Sequence, residues 1–357
     1  MFLVTNRKLN VGGRGIKAFG LTPNESGPNE LRLVSAEKNG ENWKVNIIPD
    51  EATDKMKKDA ELNENGRAYY ASDYVASVLF KKLQADKRNL LFFVHGYNNN
   101  MEEVLERAYR LEKLYNVEVL AFSWPANGGG TWGTASYLSD KKDARASTVA
   151  LERALGRMSY LFREQVEKVK VEINKKVEKR LGSKLSAEKR NELIMKLQED
   201  NCAISVNMMA HSMGNYLYQY TLYPKSSDAH DLLFDNVILA AADTNNEGHK
   251  DWVDKIPCRK SVYVTLNEDD KALRWSRAKV GEEQLPRLGH YLHNLDSKKC
   301  VYIDFTGIVG DSHAYFEDVP VEGPNNVVFN FFNKTFNGFS VYNDLTFNAG
   351  TNSYRLK

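Results

Sequence analysis

The chain has 357 residues, a length that permits one large α/β domain or two smaller ones. Apolar residues make up 42% of it and charged residues 27%, the balance of a folded globular protein rather than a disordered or membrane one. Because 49 basic residues face 47 acidic ones, the net charge of +2 gives no general attraction to nucleic acid or an anionic membrane, and we expect neither as a partner.

We expect no targeting signal in the N-terminal segment. Only a few apolar residues precede Thr5, fewer than the roughly seven of a signal-peptide core. No apolar run approaches the roughly 18 residues that span a bilayer. Cys202, Cys258 and Cys300 are odd in number and widely spaced, which favours neither a disulfide framework nor a zinc site. We therefore predict a cytoplasmic protein with reduced thiols, no membrane span, no metal and no organic cofactor.

The N-terminal part of the chain predicts antiparallel sheet followed by a helix. Extended apolar patterns occur at 1–5, 30–37 and 42–48, and Lys38-Asn39-Gly40 between the last two is a hairpin signal. Ser72 suits the N-cap of a helix, because the apolar residues after it recur at helical spacing.

From residue 89 onward, strand and helix patterns alternate. Apolar runs that suit strands buried on both faces lie at 89–94, 117–122, 204–210, 236–242, 261–266 and 300–305. Helical patterns lie between them, at 101–114, from about 147, and at 213–221. This alternation predicts an α/β fold in one domain over 1–357, with a mostly parallel central sheet and helices on both faces.

The segment 163–200 exceeds a minimal strand–helix unit and predicts an inserted helical hairpin. It is dense in Lys and Glu, with Val166, Val169, Ile173, Val177 and Leu181 at helical spacing. Gly182-Ser183 breaks the first helix, and Ser186 suits the cap of a second that ends near residue 197. The hairpin is either a solvated arm, through which a homo-oligomer could form, or a lid. In the tail 317–357 we expect a closing helix at 325–336 and a short hairpin at 339–356.

The main chemical signal is Met209-Ala210-His211-Ser212-Met213-Gly214-Asn215, between a predicted strand and a predicted helix. Such a strand–turn–helix is the nucleophile elbow of the α/β-hydrolase fold. The turn requires small residues two before and two after the serine, and Ala210 and Gly214 meet that need. We predict Ser212 as the nucleophile, with the helix N-terminus favouring a developing oxyanion.

An oxyanion hole needs two backbone donors. In this fold the second comes from the loop after an earlier strand, where the sequence has His95-Gly96-Tyr97. Because Gly96 lets the backbone approach a substrate, we predict the amides of Tyr97 and Met213 as the donors and a structural role for His95.

A serine hydroxyl needs a histidine base, which in this fold follows the last strand. His313 has that position, and His290 and His293, which precede the strand, are the alternatives. We expect His211 to lie in the packing of the elbow, and His230 and His249 at the surface.

The acid that orients the base is expected after the penultimate strand, 261–266. Asp269 and Asp270 both lie in that loop, and Asp243, at the end of the 236–242 strand, is a further candidate. Position in the chain alone does not decide which of these three carboxylates is the acid.

Several motifs together resemble a poorly characterised bacterial family of α/β-hydrolases catalogued as a domain of unknown function. These are Thr5-Asn6-Arg7, HGYNNN at 95–100, Phe122-Ser123-Trp124-Pro125, Tyr137 with Asp140, AHSMGN at 210–215, Asp270-Lys271-Ala272-Leu273, Arg287-Leu288-Gly289 and His313. The resemblance implies Asp270 rather than Asp269 as the acid. The segment 163–200 and the tail beyond 316 depart from it, and the family implies no particular substrate.

The glycine-rich segment 127–133 lacks the ending of a phosphate-binding loop, so we interpret it as a loop at the rim of the site. Trp124, Trp132 and Tyr137 are candidates for an apolar acyl pocket. The sequence thus predicts a serine hydrolase that cleaves an ester or related bond of a small-molecule acyl substrate. The alternatives are an acyltransferase or thioesterase at the same site, or a non-catalytic interaction protein that uses the 163–200 arm.

Overall fold

The computed structural model describes residues 1–28, 30–62, 66–126, 133–181, 186–202, 204–278, 285–317 and 326–357. The strands are β1 (Phe2–Thr5), β2 (Arg7–Leu9), β3 (Phe19–Pro23), β4 (Arg32–Asn39), β5 (Asn42–Ile47), β6 (Leu90–Val94), β7 (Glu118–Ser123), β8 (Val206–His211), β9 (Asn236–Ala240), β10 (Ser261–Leu266), β11 (Cys300–Asp304), β12 (Leu345–Asn348) and β13 (Ser353–Leu356). The helices are α1 (Asp54–Asp59), α2 (Ala71–Asp86), α3 (Met101–Tyr115), α4 (Thr134–Ala146), α5 (Thr148–Leu181), α6 (Ala187–Cys202), α7 (Met213–Thr221), α8 (Lys250–Val253), α9 (Lys271–Arg277) and α10 (Val327–Phe336).

Within these residues, eleven strands form one sheet in the order β12-β13-β11-β10-β9-β8-β6-β7-β1-β4-β5. Every neighbouring pair from β13 to β1 is parallel, whereas β4 and β5 at one end and β12 at the other run antiparallel to their neighbours. The predicted mostly parallel sheet is therefore confirmed. The central position of β8 places its carboxyl end at the middle of the sheet edge.

The alternation of side chains in β6 shows why helices cover both faces. Leu90, Phe92 and Val94 join the hydrophobic core under α2, α5 and α7, while Leu91 and Phe93 join the one under α3 and α10. Phe92 and Phe93 are both 0% exposed. Burying such a ring stabilises a fold by about 1.5–3 kcal/mol. A strand that is apolar on both faces requires a helical layer on each, which confirms the predicted layers.

The N-terminal strands extend this sheet. The predicted β4–β5 hairpin forms around Gly40, whose φ is +61°. The first strand departs from the expectation of a purely antiparallel region, because β1 lies between antiparallel β4 and parallel β7. The predicted N-cap of α2, Ser72, was two residues late. The helix begins at Ala71, Tyr70 is the N-cap, and Asp73 accepts a hydrogen bond from the Tyr70 amide.

The C-terminal hairpin of β12 and β13 forms as expected, but it also joins the main sheet, because β13 pairs in parallel with β11. The helix before it is α10, which begins at Val327; residue 325, the predicted start, lies outside the described residues.

The predicted helical hairpin is present as α5 and α6, which pack on each other. The first helix is unbroken from Thr148, so its N-terminal half packs on α2 and α7 while its C-terminal half forms the arm. Ile173 and Val177 are buried, whereas Val171 and Met195 are exposed. The predicted break at 182–183 lies outside the described residues. Association of two chains through this arm stays a prediction.

None of the helices in the described ranges is both long enough and apolar enough to cross a bilayer.

Candidate active site

Ser212 lies at a strained turn between β8 and α7. Its φ of 53° and ψ of −123° are outside the regions that residues other than glycine usually adopt. The turn is fixed by backbone hydrogen bonds: the Ser212 amide donates to the Ala240 carbonyl at 3.0 Å, and the Asn215 and Asp243 amides donate to the Ser212 carbonyl at 3.0 and 3.2 Å. This is the geometry of a nucleophile elbow.

The residues after Ser212 hold the elbow against the sheet. A Cβ atom on Gly214 would lie 2.6 Å from the His95 carbonyl oxygen and 2.7 Å from that of Val94, so only glycine allows this contact. The fully buried Asn215 amide group donates to the Ala210, Ser212 and Ala240 carbonyls at 2.9, 3.1 and 3.2 Å. Asn215 is part of the AHSMGN motif, but no role for it was predicted from the sequence.

His313 follows β11 and meets Asp270, which follows β10. Nδ1 of His313 lies 2.7 Å from Oδ2 of Asp270, whose side chain is 0% exposed. The other oxygen of Asp270 accepts from the Leu273 amide at 3.0 Å as the N-cap of α9, so the carboxylate cannot rotate freely. A carboxylate can only accept, so Nδ1 carries the proton and a neutral ring has its lone pair on Nε2.

The other two candidate carboxylates face elsewhere. Asp269 accepts from the Gly307 amide at 3.3 Å. Asp243 accepts from the Tyr137 hydroxyl at 3.0 Å and from Ser276 at 2.5 Å, and it lies 3.3 Å from Nε of Arg287. The structure therefore brings Asp270, and neither Asp269 nor Asp243, to His313.

The cavity that contains Ser212 is not lined by His230, His249, His290 or His293. His290 is half-buried and His293 is exposed. His230 is half-buried and bonds to the Pro224 carbonyl at 3.2 Å. The expectation that His249 lies at the surface was wrong: it is buried against Tyr302, because α8 folds back onto the core.

His211 is buried in the packing of the elbow, and its ring centroid is 4.7 Å from that of His313. Its nitrogens contact Arg107 and the His313 carbonyl, each at 3.1 Å.

The loop that begins at His95 packs directly on the elbow. A Cβ on Gly96 would lie 2.7 Å from Cβ of Ser212 and 3.1 Å from the His211 carbonyl. The amide of Tyr97 is one residue beyond this contact, and Met213 begins α7 directly after the serine. Both predicted oxyanion donors thus lie on segments adjacent to Ser212. His95 is buried and stacks on Trp124, with ring centroids 5.0 Å apart.

Arg7, from the Thr5-Asn6-Arg7 motif, holds this loop in place through buried hydrogen bonds. The side chain is 1% exposed, and it donates to the Asn99 carbonyl at 2.7 Å and to Ser123 Oγ at 2.9 Å. Burial lowers the pKa of Arg7 to about 9, against the opposing effect of nearby Asp140 and other carboxylates, so the guanidinium stays charged at neutral pH. Asp140 in turn accepts from the Asn98 amide at 2.9 Å. No role for Arg7 or Asp140 was predicted from the sequence.

Ser212 and His313 line one cavity of about 1030 Å³. Its walls also include Tyr97, Tyr137, Leu273, Trp275 and Ala314, and charged residues of α3 form another side. Of the three predicted pocket aromatics, Tyr137 lines this cavity, Trp124 is buried against His95, and Trp132 lies outside the described residues, as does most of the glycine-rich loop (127–132). A cavity of this size accommodates a small organic molecule.

A parallel sheet with helices on both faces and a serine elbow at the end of its central strand defines the α/β-hydrolase fold. The chain belongs to the family described as "Alpha/beta hydrolase of unknown function (DUF900)", whose model matches residues 72–173 and 169–312. Neither a curated protein nor a solved structure gave a match to the chain.

Proposed function

We propose that this protein is a serine hydrolase of the esterase type, which cleaves an ester or related acyl bond through a Ser212–His313–Asp270 triad. The observation that carries the proposal is the 2.7 Å bond between His313 Nδ1 and a fully buried Asp270 carboxylate, in the same cavity as the strained Ser212. A base oriented by a third group beside an elbow serine is the arrangement that acyl transfer to serine requires.

In the acylation step, Oγ of Ser212 attacks the substrate carbonyl carbon and Nε2 of His313 takes the hydroxyl proton. The carbonyl electron pair moves onto oxygen, and the amides of Tyr97 and Met213 stabilise this oxyanion. The bond to the leaving alcohol then breaks, the alcohol oxygen takes the proton from His313, and Ser212 carries the acyl group. Asp270 remains a carboxylate throughout and stabilises the imidazolium.

In the deacylation step, water attacks the acyl-enzyme while His313 removes its proton. When the bond to Oγ breaks, that proton returns to Ser212 and the carboxylic acid leaves. An acceptor other than water would make the same site an acyltransferase, and a thiol leaving group would make it a thioesterase. The cavity walls favour a small acyl substrate with an apolar portion, which would contact Leu273, Trp275 and Tyr137.

The proposal is tested by labelling the purified protein with a fluorophosphonate probe and mapping the adduct by mass spectrometry. We expect one adduct, on Ser212, and turnover of at least one member of a panel of p-nitrophenyl esters that differ in acyl length. A folded protein that neither reacts with the probe nor hydrolyses any ester, or an adduct on another serine, would contradict the proposal.

A methyl group at position 96 is expected to impair the oxyanion hole. In Gly96→Ala the new Cβ meets Ser212 Cβ at 2.7 Å, so the loop with the Tyr97 amide must move away from the elbow. Displacement of one oxyanion donor lowers kcat by about 10²–10³-fold. Steady-state kinetics on the best ester of the panel measures this change.

Gly133→Ala is the matched control, because Gly133 lines the same cavity and a Cβ there meets nothing within 4 Å. Its kcat should stay close to wild type. Equal losses in both variants would mean that the effect of Gly96→Ala comes from cavity volume and not from the oxyanion loop.

A further inference from the structure

We infer that His211, the residue before the nucleophile, is a positioning residue that holds the catalytic histidine at the elbow. The inference rests on the proposed function, because it takes His313 as the catalytic base. The geometry that carries it is a hydrogen-bonded bridge from Arg107 through His211 to the main chain of His313.

The contacts of His211 fix which of its nitrogens carries the proton. Nη1 of Arg107 lies 3.1 Å from Nδ1 of His211, and a guanidinium can only donate. Nδ1 must therefore accept, so the proton of the neutral ring is on Nε2. Nε2 lies 3.1 Å from the carbonyl oxygen of His313, which can only accept. Each partner thus matches the single neutral tautomer, and that tautomer donates to the backbone of the base.

This bond anchors the main chain of His313 itself, in the loop after β11, to the last residue of β8. Neighbouring carbonyls are held by other elements: that of Ser312 accepts from Asn267 at 3.2 Å, and that of Phe316 accepts from the Tyr115 hydroxyl at 2.6 Å. His211 is directly bonded to Ser212 in the chain, so its side chain ties the backbone of the base to the residue next to the nucleophile.

Arg107 is itself held in place from the side of the same loop. Its Nε lies 2.7 Å from Oε1 of Glu317, whose side chain is 0% exposed, and its guanidinium lies over the ring of Phe316. The carboxylate offsets the charge of Arg107. The bridge therefore leaves the loop at Glu317, passes through Arg107 and His211, and returns to the loop at His313.

The neutral state of His211 matters because the two imidazole rings are only 4.7 Å apart. Burial, and then the proximity of His313 and Arg107, hold the pKa of His211 well below its usual range. A charged ring at this distance would oppose the imidazolium that forms on His313 during turnover. A neutral donor anchors the loop without that repulsion.

Two conservative substitutions distinguish a hydrogen-bonding role of the His211 side chain from a role in packing alone. In His211→Gln the side-chain Nε2 can still reach the His313 carbonyl, whereas in His211→Asn the shorter amide can meet Arg107 but not His313. We expect His211→Asn to lower kcat by about 10–100-fold with little change in KM, since misplacing a catalytic group by about 1 Å costs a factor of this size. His211→Gln should recover most of the loss.

His249→Asn is the control, because it is the same substitution at another buried histidine, which does not line the cavity. We expect it to leave kcat unchanged even where it lowers the melting temperature. Equal kcat values for His211→Asn and His211→Gln, or an equal loss in His249→Asn, would overturn the inference.

A second readout does not depend on catalysis. The proton between His313 Nδ1 and Asp270 should give a downfield resonance in the proton NMR spectrum of the wild-type protein. We expect this signal to broaden or vanish in His211→Asn and to persist in His211→Gln. If the wild-type protein neither hydrolyses esters nor is labelled at Ser212, the proposed function is wrong. The NMR comparison would still decide whether His211 positions His313. An unchanged signal in His211→Asn would show that it does not.

Discussion

Replacing Ser212 with alanine is expected to lower kcat for ester hydrolysis by a factor on the order of 10⁴ or more. The substitution removes the only atom of this side chain that can bond to the acyl carbon, and the remaining base and oxyanion donors cannot form an acyl-enzyme. Substrate binding should change little, because the cavity loses a single oxygen atom. The measurement is single-turnover and steady-state hydrolysis of the best p-nitrophenyl ester, with the fluorophosphonate probe as a check on covalent reactivity.

Ser276→Ala provides the matched control in the same cavity. Ser276 also lines it, but its hydroxyl is engaged by Asp243 and Tyr137 rather than presented on an elbow. We expect this variant to keep kcat within a few-fold, and to lose about 1–3 kcal/mol of stability because buried partners are left unsatisfied. Comparable kcat for Ser212→Ala and wild type would refute a Ser212 nucleophile.

The Asp270→Asn protein is expected to fold normally and to lose about 10³–10⁴-fold in kcat. An asparagine side-chain oxygen can still cap α9 in place of Oδ1, which accepts from the Leu273 amide, so the helix is retained. At the position of Oδ2 the amide presents a donor. It therefore favours the His313 tautomer with the proton on Nε2, which is the wrong one for a base.

Asp269→Asn tests whether this effect is specific to one carboxylate. Asp269 is the adjacent residue, with its carboxylate on the Gly307 amide, so its neutralisation should leave kcat near the wild-type value. The melting temperatures of both variants show whether the fold is intact. If Asp269→Asn were the impaired variant and Asp270→Asn the active one, the assignment of the acid would be reversed.

The local pattern of the sequence was sufficient for most of the fold. The apolar runs of β6 and β8 to β11 are buried on both faces, and such strands are recognisable without knowledge of their partners. What failed depends on distant pairing. The parallel neighbours of β1 and β13 are β7 and β11, and no feature of a four-residue segment specifies a partner far away in the chain.

The candidate site was predictable where a residue type has a fixed place in the fold, as for Ser212 and His313. It was not predictable where the role depends on a contact. The side chains of His211, Asn215 and Arg7 donate hydrogen bonds to main-chain carbonyl oxygens. Because every residue has such a carbonyl, the sequence does not show which one a given side chain contacts. The sequence does place these polar residues next to buried strands, which is unusual and indicates that they have a role. It does not indicate which group each side chain contacts.

The position of β1 has a practical consequence for work on this family. The family match begins at residue 72, yet β1 precedes it and pairs with β7 inside the sheet, and Arg7 follows directly and bonds to the Asn99 carbonyl. A shortened protein that starts at residue 72 would expose the unpaired edge of β7, and exposed strand edges promote aggregation. It would also leave the loop beside the serine without its guanidinium support. An activity screen on a protein that begins at residue 72 would therefore underestimate what the chain with β1 and Arg7 can do.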